Sequence, residues 1–129
     1  MKKFLLFVTL GIVISSCSKY EGEGGSSTIK GVVNEQRFNS LGNLISEYPV
    51  ADKDVFIIYG NESTFYDDDI KTSYDGSFEF RYLKKGNYTV FVYEDCSTCP
   101  SGVKEVKIPV EITNNNQIVD LDTINIKKI

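Results

Sequence analysis

Cys96 and Cys99 stand two residues apart in the stretch "EDCSTCP" (94–100). Such a pair can exchange disulfides, hold half of a zinc site, or close a small structural ring. Each use needs companions. A thiol oxidoreductase would carry a βαβ pattern around the pair, and none is present. A closed zinc site needs two more sulfur or imidazole ligands, but the chain has three cysteines in all and no histidine. What is left is a local disulfide, Cys96–Cys99, or two free thiols. The missing histidine also removes the Ser-His-Asp and Cys-His arrangements of hydrolases.

Two other groups of residues could bind rather than react. Asp67 and Asp69, with Asp75 nearby in sequence, could offer oxygen ligands to Ca²⁺. Neighbouring Asp side chains diverge on an extended chain, however, and the EF-hand spacing is absent, so a solvated acidic loop is the plainer reading. Tyr59, Phe65, Tyr66, Tyr82 and Tyr93 could stack on a glycan or meet a protein partner; aromatic rings more often fill a core. No two carboxylates can be set face to face from sequence. The expectation is therefore a binding module that is not an enzyme and uses no cofactor.

The N-terminus assigns the compartment. Lys2 and Lys3 precede an apolar run over residues 4–14, interrupted by Thr9. That run falls short of the about 20 residues a spanning helix needs, and matches a secretory signal. It ends Ile14-Ser15-Ser16-Cys17, which resembles the bacterial lipobox. The resemblance implies cleavage before Cys17 and acylation of its thiol and new N-terminus. Several chains, each giving about 0.8 kcal/mol per buried CH₂, make a stable anchor. Ser18, rather than Asp, at the next position implies the outer membrane; the periplasmic and exposed faces both stay open. Residues 17–27, "CSKYEGEGGSS", read as a lipidated cysteine and a flexible tether. Once the lipidated cysteine is set aside, Cys96 and Cys99 remain as a pair in an oxidising compartment.

The 129 residues carry a net charge of −4, and removing Lys2 and Lys3 makes the remainder more acidic still. That balance does not suit a nucleic-acid binder. Three segments are expected: a signal peptide over 1–16, the tether over 17–27, and one domain over 28–129.

No helical period appears after Cys17. Short β-rich runs broken by Asn, Asp and Gly predict strands over 28–35, 55–60, 70–74, 77–83, 87–94, 103–113 and 118–126, with a further one near 44–48. The runs at 55–60 and 87–94 are apolar on both faces, hence central. In 103–113, Val106, Ile108, Val110 and Ile112 alternate with polar positions, and Pro109 predicts an edge strand. Asp75-Gly76 predicts a hairpin joining 70–74 to 77–83. Its apolar faces, Ile70/Thr72/Tyr74 and Phe78/Phe80/Tyr82, agree only across an odd-numbered turn, with Gly76 at positive φ. In 118–126 the apolar phase shifts, predicting a bulge near Asp122. The core is expected to include Val55 or Phe56, Ile57 or Ile58, Phe78, Phe80, Tyr88, Val90, Val106, Ile108 and Val110. The fold class is an all-β, seven- to eight-stranded sandwich.

"TIKGVV", "VADKDVFIIYG" and "KTSYDGSFEFRYLKKGNYTVFVY" together resemble carboxypeptidase-regulatory-like, transthyretin-like (prealbumin-like) domains over residues 28–93. The resemblance implies a Greek-key sandwich of seven or eight strands in a small lipoprotein of the Bacteroidetes type. Such domains are mostly non-catalytic accessories, so the implied partner is a protein, or alternatively a glycan. Related domains form Lys–Asn isopeptide bonds; Lys30 and Asn125 sit on suitable strands, but Val92 occupies the position of the required acid.

Overall fold

The computed structural model describes residues 21–60 and 65–129. The signal segment and Cys17 lie outside the described residues. Eight strands follow one another: β1 (Glu23–Phe38), β2 (Leu44–Pro49), β3 (Asp54–Tyr59), β4 (Asp68–Lys71), β5 (Ser77–Leu83), β6 (Gly86–Asp95), β7 (Val103–Ile112) and β8 (Ile118–Lys128). They form two four-stranded sheets, with no helix among the described residues.

In the first sheet β1 is central. One of its edges pairs with β8, in parallel. Its other edge pairs antiparallel with β5 along the first part and with β2 along the last. The second sheet runs β4-β3-β6-β7, all antiparallel. Alternation sends Ile29, Val33, Phe78, Phe80, Ile124 and Ile126 inward from the first sheet, and Val55, Ile57, Tyr88, Val90, Val92 and Ile112 inward from the second. Burying these two apolar faces against each other is what makes the chain a sandwich.

Several expectations hold in detail. Val55 and Ile57 are the inward members of their pairs. β3 and β6 are central, and β7 is an edge strand with Pro109 opposite Thr89. Because β7 is an edge, Val106 and Ile108 are only half-buried against the core. The bulge in β8 is present: Lys30 faces Asp120 while Val32 faces Thr123, and Asp122 takes φ 59°.

The hairpin at Asp75-Gly76 is corrected. Its turn is as expected: Ser73 N–H donates to Ser77 O at 2.8 Å across three residues, and Gly76 has φ 81°. The strands then part, β4 pairing with β3 in the second sheet and β5 with β1 in the first. Thr72 drives the separation. It is buried, its hydroxyl donates to Val50 O, and it accepts from Lys53 N–H at 3.0 Å. These bonds tie the end of β4 to the segment leading into β3. Ile70 and Phe78 still point at one core, from opposite sheets. Tyr74 does not join that face; it stands in the turn, 90% exposed.

Tyr82 is the second correction. It was expected to alternate inward with Phe78 and Phe80, but it points out at φ 60° and Leu83 fills the core instead. Ile29 faces Phe80 and Ser27 faces Leu83, so three residues of β5 oppose two of β1. That bulge reverses the phase of the strand.

The domain also begins before residue 28. Gly22 N–H donates to the Tyr88 hydroxyl at 2.9 Å, Lys84 N–H donates to Gly22 O at 2.8 Å, and the Glu21 carboxylate accepts from Asn87 N–H at 3.1 Å. β1 starts at Glu23. Glycine serves close approach here: a β-carbon on Gly25 would collide with the Leu83 carbonyl. The residues read as a tether are, from Glu21 onward, packed on the β5–β6 turn.

Candidate functional site

Two outer surfaces concentrate the aromatic and charged side chains. On the second sheet, β3 and β6 each carry apolar residues on the side facing away from the core. Register sets Phe56 beside Phe91, with ring centroids 5.0 Å apart and planes nearly parallel at 18°. Tyr93 meets both at 5.6 Å, edge-on at 73° and 85°. Tyr66, in the segment before β4, lies 4.7 Å from Phe56 at 55°. Phe91 is 4% exposed beneath this cluster, while Tyr66 stays half-exposed and Phe65 beside it is open to solvent. Lys107 faces Phe91 and Glu105 faces Tyr93 across β7, forming a charged rim.

Of the five aromatic candidates, then, the structure brings Tyr66 and Tyr93 together. Phe56 and Phe91 complete the group. The available signal for them was the two-sided apolar pattern of their strands, which indicates a central strand and says nothing of a surface site. Tyr59 is corrected from site to core. It points inward and meets Tyr88 edge-on at 5.8 Å. Burial, and then the nearby Asp68 carboxylate, push its phenol up to about 12. The unfolded chain ionises Tyr59 near its ordinary value of about 10. Stability from this group is therefore full below pH 10 and is lost as pH rises from about 10 to about 12. Denaturant melts across that window should show the midpoint falling; an unchanged midpoint would contradict this placement.

Tyr82 lies on the other sheet, at the wall of a groove of about 670 Å³. Lys30 of β1, Glu79 and Arg81 of β5 and Asp120 of β8 line it. Arg81 pairs with Glu79 at 2.5 Å, which raises the guanidinium's already high pKa. Lys30 stands between Glu79 and Asp120 in register.

The calcium ligands do not assemble. Asp67 accepts from Tyr59 N–H at 2.7 Å, and Asp69 faces Phe56 across β3. Asp75 lies beyond the other end of β4 and accepts from the N–H and hydroxyl of Ser77, at 3.1 and 2.6 Å, which hold its pKa low. Among the described residues, no group of three His, Cys, Asp or Glu could hold a metal ion. Lys30 and Asn125 do not meet either: Asn125 accepts from the Asn34 side chain at 3.0 Å, and Val92 is buried in the core.

Cys96 and Cys99 are bonded, with Cα atoms 5.4 Å apart. They sit in the turn from β6 to β7, which Cys96 N–H closes on Gly102 O at 2.8 Å. So short a ring constrains little of the unfolded chain. The double variant Cys96→Ser/Cys99→Ser should lose about 2 kcal/mol or less by chain-entropy scaling. Urea denaturation of oxidised and variant protein checks this. Thiol titration of protein isolated without reductant should find both sulfurs blocked, and reduction of insulin should be absent.

No family model matches the chain, and no curated protein matches it. Among solved structures it resembles a candidate carbohydrate-binding protein from Pseudomonas aeruginosa, at 13% identity and a TM-score of 0.48, over 83% of this chain and 91% of that one. It also resembles an (S)-allantoin synthase, at 10% identity and a TM-score of 0.37, over 78% of this chain and 42% of that one. At that overlap neither likeness bears on ligand, activity or fold, and the β-sandwich rests on the strand pairing and core of the chain itself.

Proposed function

We propose that the chain is a lipid-anchored, non-catalytic module of the bacterial outer membrane, built on the transthyretin-like plan, that docks a protein partner. The lipobox-like Ile14-Ser15-Ser16-Cys17 supports the anchor. The aromatic cluster on the second sheet carries the docking reading. Phe91 of the stacked pair is buried, and the exposed Tyr66 and Tyr93 lie tilted and edge-on to Phe56, so the cluster offers no flat exposed row on which sugar rings could stack. An aromatic centre with a charged rim is instead the usual anatomy of a protein interface. The partner surface would bring apolar side chains to Tyr66 and Tyr93 and opposite charges to Lys107 and Glu105.

Photo-crosslinking from position 66 in intact cells tests this. One crosslinked protein band should form, and Tyr93→Ala should weaken it several-fold. Crosslinking no stronger than from Asn115, exposed in the β7–β8 turn at the opposite end of β7, would sink the reading. A second reading, a glycan-binding accessory, is favoured by the groove at Tyr82.

A further inference from the structure

We infer that the groove along β5, lined by the first sheet and by β4 of the second, is a binding site for a neutral, hydroxyl-rich saccharide, with Tyr82 as its stacking ring. This rests on the second reading above and is separate from the aromatic face of the other sheet.

Tyr82 is the first observation. Its φ of 60° lies in the left-handed region, which L side chains avoid and glycine or asparagine enters readily. The β5 bulge needs that backbone shape, yet a glycine would provide it without strain. What tyrosine adds is a ring, 66% exposed, at the groove wall. Backbone strain retained under an exposed aromatic side chain points to a use for the side chain.

The lining is the second observation. Three cations, Lys30, Lys71 and Arg81, stand among three carboxylates, Glu23, Glu79 and Asp120. Charges so balanced do not select an anion or a cation. They do present donors and acceptors side by side, which suits hydroxyl groups, since each hydroxyl both donates and accepts. The Lys30 ammonium has no ion-pair or hydrogen-bond partner among the described residues, so its donors are available. The Arg81–Glu79 pair offers a fixed polar array beside the ring. A sugar's apolar C–H face would lie on Tyr82 while its hydroxyls reach the charged row. The volume falls within the about 300–1,000 Å³ of small-ligand sites.

The test titrates the full chain, solubilised in a detergent without a sugar headgroup, with neutral gluco-, manno- and xylo-oligosaccharides and with oligogalacturonates. The chain has eight tyrosines and no tryptophan, so tyrosine emission reports occupancy. At least one neutral saccharide should bind. Tyr82→Ala should weaken it by about tenfold or more, the affinity equivalent of one stacked ring. Tyr82→Gly should weaken binding as much as Tyr82→Ala while raising the melting temperature, because it relieves the backbone as well as removing the ring. Tyr48→Ala, on β2 and outside the lining, should bind as the parent does. Absence of binding by every neutral member, binding of the acidic oligomers alone, or unchanged affinity in Tyr82→Ala would each overturn the site. Those results would leave crosslinking at Tyr66 intact if the protein-docking reading is correct, so the two fail independently.

Discussion

Tyr88→Ala should unfold most of the protein at ordinary temperature. Tyr88 is the largest fully buried side chain, and it stands on β6 between its neighbours β3 and β7. Truncating a buried aromatic costs about 3–5 kcal/mol, against the about 5–15 kcal/mol that holds a small domain together. The phenol adds a second loss, because its O–H donates to Lys84 O at 2.6 Å and its oxygen accepts from Gly22 N–H. Tyr88→Phe separates the two contributions. It keeps the ring, leaves Gly22 N–H unpaired, and should cost about 1–3 kcal/mol. Far-UV melts of both variants give the comparison. A Tyr88→Ala protein melting within a few degrees of the parent would contradict the core described above.

Cys17→Ser should move the protein from the membrane fraction to the soluble one, or leave an uncut precursor. Cys17 lies outside the described residues, so this expectation rests on sequence alone. Each acyl CH₂ buried in lipid is worth about 0.8 kcal/mol, so losing several chains removes essentially all attachment. The folded part should not compensate: no helix among its described residues is long and apolar enough to cross a membrane. Fractionation with immunodetection decides it. A processed variant that still sediments with membranes would rule out acylation at this cysteine.

Much of the fold was legible because alternation is a local property. Val106 through Ile112 announced one wet face and one dry face, and Pro109 announced an edge. The phase shift before Ile124 announced a bulge. Gly76 announced its own positive φ. What remained hidden depends on partners distant in sequence. Parity across the Asp75-Gly76 turn is satisfied equally by a hairpin in one sheet and by a corner joining two, and only the bonds of Thr72 to the Val50–Lys53 backbone distinguish them. Tyr82 read as an inward residue because the bulge that turns it out is set by β1. Gly22 and Gly25 read as tether because the same residue type serves flexibility and close packing. The candidate surfaces divided along similar lines. Tyr66 was visible as an aromatic residue in polar surroundings and Tyr93 as a tyrosine at the end of its strand, whereas Phe56 and Phe91 were concealed in strands that any central position would explain.

The parallel pairing of β1 with β8 has a consequence for the order of events in folding. Asn34 and Asn125, joined across that pair, are 91 residues apart in sequence. The core side chains Ile124 and Ile126 come from β8 as well. A chain emerging from a translocation channel with its N-terminus first would expose the central strand of one sheet long before that strand's neighbour arrived. Collapse into the native sandwich would have to wait for β8. Such long-range closure folds slowly, on the order of milliseconds to seconds. Until β8 arrives, the edge of β1 opposite β2 and β5 stays open, an unpaired template for pairing with another chain.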